Sequence, residues 1–305
     1  MTKPSPVEGR GAAELPVELE AMIDHVDRCD SVFKPSAFWD YFDRQNIDQL
    51  LRGGIVNFKR TVNQNYFNWL PTDPSDNQFR SLLRLTAEHP DADAFAAEID
   101  DRDAWVESLF SREALTAAHA RQIYRLFVGM LWSYTRRIAG NELPALLEEP
   151  ELGNPIPIRL AGRRISQDLA NSIRERNALL SLVEPGLATG QRKNIVEIGA
   201  GYGRLAHVVM SSAPCRYVIV DIPPALYVSQ WYLTTLFPNK PTFRFEPWTD
   251  PSAIIERLLG SELAFLTPDQ FVRLPDAFFD IGIAISNLAE MTPEQVTHYL
   301  AAFDA

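Results

Sequence analysis

The chain has 305 residues, a hydrophobic fraction of 46% and a formal net charge of −11. This length allows one large or two ordinary domains, with enough apolar content for a sizeable core. The acidic balance, with a pI near 5.0, argues against a general nucleic-acid binder. No run is long and apolar enough to span a membrane. Met1 to Arg10 lacks the apolar core of a secretory signal, so a cytoplasmic location is expected. Cys29 and Cys215 stand far apart and read as reduced thiols. His25, His89, His119, His207 and His298 show no ligand spacing, and no protein-built metal site is expected.

Residues 1–18 contain proline and glycine and read as a flexible tail. From 19 to 155 the pattern is helical and predicts an N-terminal domain. Leu19, Met22, Ile23 and Val26 recur at helical spacing after Pro16. The segment Asn57 to Trp69 sets Asn57, Lys59, Arg60, Asn63, Gln64, Asn65 and Asn68 among Phe58, Tyr66, Phe67 and Trp69. Amides offer paired donors and acceptors that match vicinal hydroxyls, and aromatic faces cover the apolar side of a sugar ring. The plain alternative is an amphipathic helix with its aromatics in the core and its amides in solvent. Residues 72–77 and 90–93 are turn clusters. Leu115 to Ile138 predicts a long helix with Ile123, Leu126, Phe127, Met130, Leu131 and Tyr134 on one side. Glu148 to Pro157 is a proline-rich connector.

Residues 156–305 read as the second domain, of α/β class. Ile165 to Leu180 predicts a helix that Ser166 can cap and Asp168 favours in its first turn. Its apolar face carries Ile165, Leu169, Ile173 and Leu180; its polar face carries Gln167, Asp168, Asn171 and Glu175. Ile195, Val196 and Ile198 then read as a buried strand, Gly199, Gly201 and Gly203 as a loop, and Leu205 to Met210 as an apolar helix. Glycines serve where backbone turns sharply and lies against a ligand. Strand, loop and helix together make a nucleotide-type pocket at the carboxyl end of a parallel sheet. A dinucleotide fingerprint wants G-x-G-x-x-G. Here the third glycine, Gly203, comes one position early, Arg204 takes its place, and an acid, Glu197, stands two residues before the first.

A second strand, Arg216 to Val220, ends in Asp221, placed to accept ribose hydroxyls. Dinucleotide folds use the same acid; the plain alternative is a turn cap before Pro223 and Pro224. Leu263 to Leu266 is a third strand, leading to Asp269, and Ile281 to Ile285 a fourth, leading to Ser286 and Asn287. One helix follows from about Thr292.

The sequence Glu197-Ile-Gly-Ala-Gly-Tyr-Gly203 resembles motif I of S-adenosylmethionine (SAM)-dependent methyltransferases. Together with Asn57–Trp69, Ser166–Ser172, Val220–Pro224 and Ser286–Met291, it resembles the sugar O-methyltransferase family from about residue 35 onward. The resemblance implies a Rossmann-like SAM-binding sheet, a helical N-terminal domain on the lid and acceptor side, and a hydroxyl acceptor on a sugar or glycosylated metabolite. It implies cofactor contacts from Glu197, Gly199, Ala200, Gly201, Tyr202 and Gly203, then Asp221 and Ile222, Asp269 and Gln270 at adenine, and Ser286. For Asp269 the plain alternative is a helix cap on an exposed loop. Lys59, Tyr66, Asn68, Gln167, Asn171 and Asn287 are the acceptor-side candidates. A sugar hydroxyl is a weak nucleophile, so a positioned base should help. The region after strand four normally lies beside the methyl group, which puts Glu290 first as base, ahead of Asp168 and His207. Glu290 also suits the dipole of the helix that follows it.

Two other classes stay open: a SAM-binding protein that acts through a partner without catalysis, and an NAD-dependent enzyme, which the early third glycine opposes. The family's sheet normally continues past strand four. Here Ile281, Ile283 and Ile285 are expected on a bare edge, covered by N-terminal helices, by a second copy in a homo-oligomer, or not at all.

Overall fold

A computed structural model describes residues 14–62, 71, 75–87, 117–140, 142–182 and 192–304. Tyr66 and Asn68 lie outside the described residues. The chain opens with helices. α1 (Val17–Asp27) buries Leu19, Met22 and Val26, the expected stripe. α2 (Ala37–Gly53) begins where the Ser36 hydroxyl accepts the Trp39 N–H and ends at Gly54, φ 74°. α3 (Phe58–Thr61), α4 (Asn77–Ala87), α5 (Ala117–Ala139) and α6 (Glu142–Leu146) follow. α5 buries Ile123, Leu126, Phe127, Met130 and Leu131.

β1 (Ile158–Leu160) and β2 (Arg163–Ile165) form an antiparallel hairpin. Its three-residue strands are too short for an alternating pattern to register in sequence. α7 (Gln167–Leu182) starts one residue later. Ser166 caps it: its Oγ accepts the Leu169 N–H at 3.0 Å.

The sheet is then laid down as β3 (Lys193–Ile198), α8 (Arg204–Ser212), β4 (Cys215–Val220), α9 (Ala225–Leu236), β5 (Thr242–Phe243), α10 (Ile255–Gly260), β6 (Leu263–Leu266), α11 (Pro268–Phe271), β7 (Ile281–Ala284) and α12 (Pro293–Asp304). The strand order is β5-β6-β4-β3-β7 and every pairing is parallel. The architecture is α/β with a five-stranded parallel sheet, compatible with Rossmann-like winding. Ile198 lies beside both Val220 and Ala284, so the loops after β3, β4 and β7 leave the sheet side by side. The order reverses between β3 and β7, where such sheets bind ligands.

Apolar side chains cover both sheet faces. Ile195, Tyr217, Ile219, Leu263, Phe265, Ile281 and Ile283 share one core cluster with Leu19, Met22, Leu50, Phe58 and Val62 of the N-terminal helices. Val196, Ile198, Val218, Val220, Ala264 and Leu266 form the other face with Leu258 and Tyr299. A third cluster joins α5 to α7 and to Val208 of α8.

β7 pairs with β3, and among the described residues no strand pairs with its outer edge. Its apolar side chains are not bare, which corrects part of the expectation. Ile281 and Ile283 are buried, Ile285 is partly buried against the same cluster, and Phe303 of α12 lies so close over Gly282 that a Cβ there would collide with it. Among the described residues, no helix is long and apolar enough to cross a membrane.

Candidate functional site

A cavity of about 350 Å³ opens at the carboxyl ends of β3, β4 and β7, within the usual size of ligand pockets. The glycine loop lies along it. Gly199 and Gly201 have φ of 68° and 59°, a region that side chains rarely adopt. A Cβ on Gly199 would run into Asn287, whereas nothing lies within 4 Å of the corresponding point on Gly201. Gly201 therefore presents bare backbone to the cavity. Gly203 does something else. It is absent from the cavity wall, and a Cβ there would strike Leu233 of α9. It packs against α9, away from the cavity wall where a cofactor contact was expected.

Asp221 follows β4 directly and is buried. Its Oδ2 accepts the Gly201 N–H and its Oδ1 the Ile222 N–H, each at 2.8 Å. Both oxygens keep acceptor capacity for a ligand. Burial pushes this carboxyl up to about 7, against those two hydrogen bonds. Glu197, the penultimate residue of β3, accepts from the Tyr217 hydroxyl at 2.7 Å; burial pushes it up to about 8. Ala200, Tyr202, Ile222, Ser286 and Asn287 also line the cavity. Ser286 adopts a left-handed φ of 58°, a strained choice for a non-glycine residue and one that clusters at sites. Asn287 donates through Nδ2 to the Ile198 carbonyl; its Oδ1 is buried without a partner.

α7 supplies the opposite wall with Gln167, Asp168 and Asn171. Asp168 accepts from the Tyr202 hydroxyl at 2.7 Å, and burial raises its carboxyl. Gln167 is 6% exposed. Its Nε2 donates to Gln78 Oε1 at 3.3 Å, and its Oε1 is buried with no partner. The first turn of α2 covers the remaining side. Ser36 Oγ donates to the Glu290 carbonyl at 2.8 Å. Burial raises the Glu290 carboxyl, and a hydrogen bond from the Trp39 side chain opposes that rise.

The cavity's charge is lopsided. Asp168, Glu197, Asp221 and Glu290 line it, against Lys34 and Arg204 among the described residues. Arg204 is committed to Glu175 by a bidentate pair at 2.6 and 2.7 Å and to Ser172 at 2.9 Å. Lys34 donates to the Asp27 carbonyl at 2.8 Å. The polar lining is thus mainly carboxyl and amide, and burial favours the protonated form of its acids until a cationic group is set beside them.

Besides Gly203, four expected residues fall elsewhere. Asp269 and Gln270 do not line the cavity; from α11 only Pro268 does. Asp269 lies 3.1 Å from His25 Nε2 and accepts from Thr267 Oγ1 at 2.7 Å. Gln270 closes the capping box of α11 and donates to the Glu246 carbonyl at 2.8 Å. Both side chains, expected at adenine, are engaged in these hydrogen bonds and lie off the cavity wall. Lys59 is 3% exposed and ion-paired with Glu149, which in turn accepts from Ser166 Oγ at 2.6 Å. Its ammonium sits 4.9 and 4.6 Å from the ring centres of Tyr202 and Tyr232. Lys59 thus ties α3 to the cap of α7 and does not face an acceptor. His207 is buried in α8 against Tyr232 and Phe237, off the cavity, and burial lowers it to about 4. It packs inside α8's core face, away from the cavity where a base was expected.

Sequence reading missed Ser36, Trp39 and Gln78. Ser36 followed by Phe38 and Trp39 is a legible helix start; Gln78 carries no signal. It also missed a His25–Cys29–Asp269 cluster whose ligand-type atoms all lie within 4.8 Å of one another. Asp269 comes 244 residues after His25, beyond any spacing rule. Arg273, 3.8 Å from Asp269, already offers it a positive charge. Comparison with known proteins returns no match to a family model, to a curated protein or to a solved structure.

Proposed function

We propose that the cleft binds SAM and that the chain transfers its methyl group to a hydroxyl of a sugar or glycoside. The observation that carries this reading is the cavity's chemistry: bare glycine backbone beside four acids, with Lys34 and Arg204 the cations among the described lining residues and Arg204 paired to Glu175. A dinucleotide brings a pyrophosphate, which gains little from a wall where acids outnumber cations. SAM brings a ribose diol that carboxyl oxygens can accept from, and a sulfonium and an ammonium that favour the ionised form of acids which burial otherwise holds protonated. The E-x-G-x-G-x-G spacing and the other segments that resemble sugar O-methyltransferases support the same assignment.

When bound, SAM supplies an electrophilic methyl carbon on sulfur. In this reading Asp221 accepts the ribose hydroxyls, and Gly199 to Tyr202 with Glu197 hold the methionine part. Gln78, Gln167, Asn171 and Asn287 form the acceptor end. The orphaned amide oxygens of Gln167 and Asn287 require donors, and sugar hydroxyls are donors. Holding a hydroxyl in line with the methyl group provides much of the rate. Glu290 takes the hydroxyl proton; its raised carboxyl is the better matched to that task. Asp168 is the second candidate, since it already accepts from Tyr202.

The test is transfer of isotope-labelled methyl from SAM into pools of free sugars, nucleotide sugars and glycosides. Labelled ether product is expected, and Glu290→Gln should lower kcat about 10²–10⁴-fold with SAM affinity retained. Label that never leaves SAM with any pool would overturn the transferase assignment.

A further inference from the structure

The C-terminal end of α1 carries two side chains of metal-ligand type. His25 and Cys29 stand four residues apart, the spacing that sets two side chains on one helical face. The Cys29 N–H, bonded to the Val26 carbonyl at 3.0 Å, carries the turn on as far as the cysteine. Asp269, in the first turn of α11, reaches the same point from 244 residues beyond His25. One ligand-type atom from each of the three lies within 4.8 Å of the other two, and His25 Nε2 is 3.1 Å from both Asp269 oxygens. Ligands placed about 2.0–2.3 Å from a tetrahedral zinc ion stand about 3.3–3.8 Å apart, so side-chain shifts of about 1 Å seat one ion among all three.

The surroundings hold these donors in place. Thr267 Oγ1 donates to Asp269 Oδ1 at 2.7 Å, the kind of outer hydrogen bond that orients a ligating carboxylate. Phe245 packs edge-on against the His25 ring, with centroids 5.6 Å apart. The Asp269 side chain is 2% exposed and that of His25 10%, whereas Cys29 is half-buried and leaves an ion a way in. Arg273 is the competing cation, 3.8 Å from Asp269; its side chain is 43% exposed and can turn into solvent when an ion takes the carboxylate. Sulfur, imidazole and carboxylate together suit zinc and its neighbours, while magnesium and calcium take oxygen ligands.

We propose that His25, Cys29 and Asp269 form a binding site for a divalent transition metal, zinc by preference, that clamps α1 to the segment after β6. Water completes the four-coordination. The Cys29 thiol proton leaves to solvent as the metal–sulfur bond forms. None of the three ligands lines the cleft, so the inference is independent of the cofactor reading. The clamp still bears on the cleft: Pro268, next to Asp269, is part of its wall. Spacing among the histidines shows nothing of the site, because two of its three ligands are not histidine.

The experiment is titration of the chelator-treated full chain with cobalt(II), followed by absorbance, and then with zinc, followed by melting temperature. A cobalt–thiolate charge-transfer band should rise, saturate at one-to-one and disappear when zinc displaces the cobalt. Zinc should also raise the melting temperature. Cys29→Ser should abolish the band, and Cys29→Ser, His25→Ala and Asp269→Asn should each lower zinc affinity at least about tenfold. Should His25→Ala or Asp269→Asn fail to fold, Cys29→Ser, a one-atom change at a half-buried position, carries the test by itself. The chain has two cysteines, so a band that survives Cys29→Ser comes from Cys215 and would overturn the site. Absence of any thiolate band in the wild type would overturn it as well, leaving His25 and Asp269 as a hydrogen-bonded pair balanced by Arg273.

Discussion

In the proposed reading, Asp221 is the residue on which the cofactor end of the cleft turns. Its carboxylate anchors the glycine loop through Gly201 and keeps lone pairs for a ligand. Asp221→Ala should weaken S-adenosylhomocysteine binding about 10–100-fold by calorimetry; unchanged affinity would contradict its role. Its acidity makes a second prediction. Asp43 and Glu197 are pushed up to about 8 and Asp221 to about 7. Each holds its proton more tightly folded than unfolded, so the stability they contribute is complete in acid and is lost as pH rises through those values. His207, lowered to about 4, acts in the opposite sense only below about pH 6.5. The ligand-free chain should therefore melt lower at about pH 8.5 than at about pH 6.5, and Asp43→Asn should flatten that slope. A melting temperature that rises across this window would contradict the assignment. Residues of this kind were legible in sequence where the signal is local. Glu197, Gly199, Gly201 and Asp221 sit at strand ends whose apolar runs announce them. The surroundings of Lys59, Asp269 and His207 were not legible, because partners distant in sequence set them: Glu149 for Lys59, His25 for Asp269, Tyr232 and Phe237 for His207.

Among the elements, the link from α3 to α7 is the most exposed to test. Lys59, Glu149 and Ser166 form one buried chain from the N-terminal helices to the cap of α7. Lys59→Met leaves Glu149 buried and uncompensated and should cost about 3–5 kcal/mol in denaturant unfolding. Adding Glu149→Gln should recover a large part of that loss, because the stranded charge is gone. If Lys59→Met unfolds at the wild-type midpoint, the pair has no structural weight. α1, α5 and α7 were readable from periodicity, as were β3, β4, β6 and β7 from short apolar runs. β1, β2 and β5, of two or three residues each, carry too few side chains for a period. The proline-rich connector read as a plain linker, yet it supplies Glu149, whose burial depends on a lysine that composition could not match to it.

At the scale of the molecule, helices and sheet are held by one core. Leu19, Met22, Leu50, Phe58 and Val62 pack in the same cluster as Ile195 and Tyr217, so the N-terminal helices cannot detach without exposing the sheet. Phe58, fully buried against Tyr202, Trp231 and Tyr232, is the central contact. Phe58→Ala should cost about 3–5 kcal/mol and lower the melting of the sheet along with that of the helices; two separate transitions in calorimetry, one of them unmoved, would contradict a shared core. This arrangement places α2 over the cleft and brings Trp39, Glu290, Asp168 and the glycine loop around one acidic cavity. The account's central claim is that this cavity takes a cationic nucleoside and not a pyrophosphate. The most direct measurement is calorimetric titration of the full chain with SAM and, in parallel, with NAD. The account predicts saturable one-to-one binding of SAM, lost in Asp221→Ala, and no measurable heat with NAD. Binding of NAD, or titrations with SAM that show none, would contradict it.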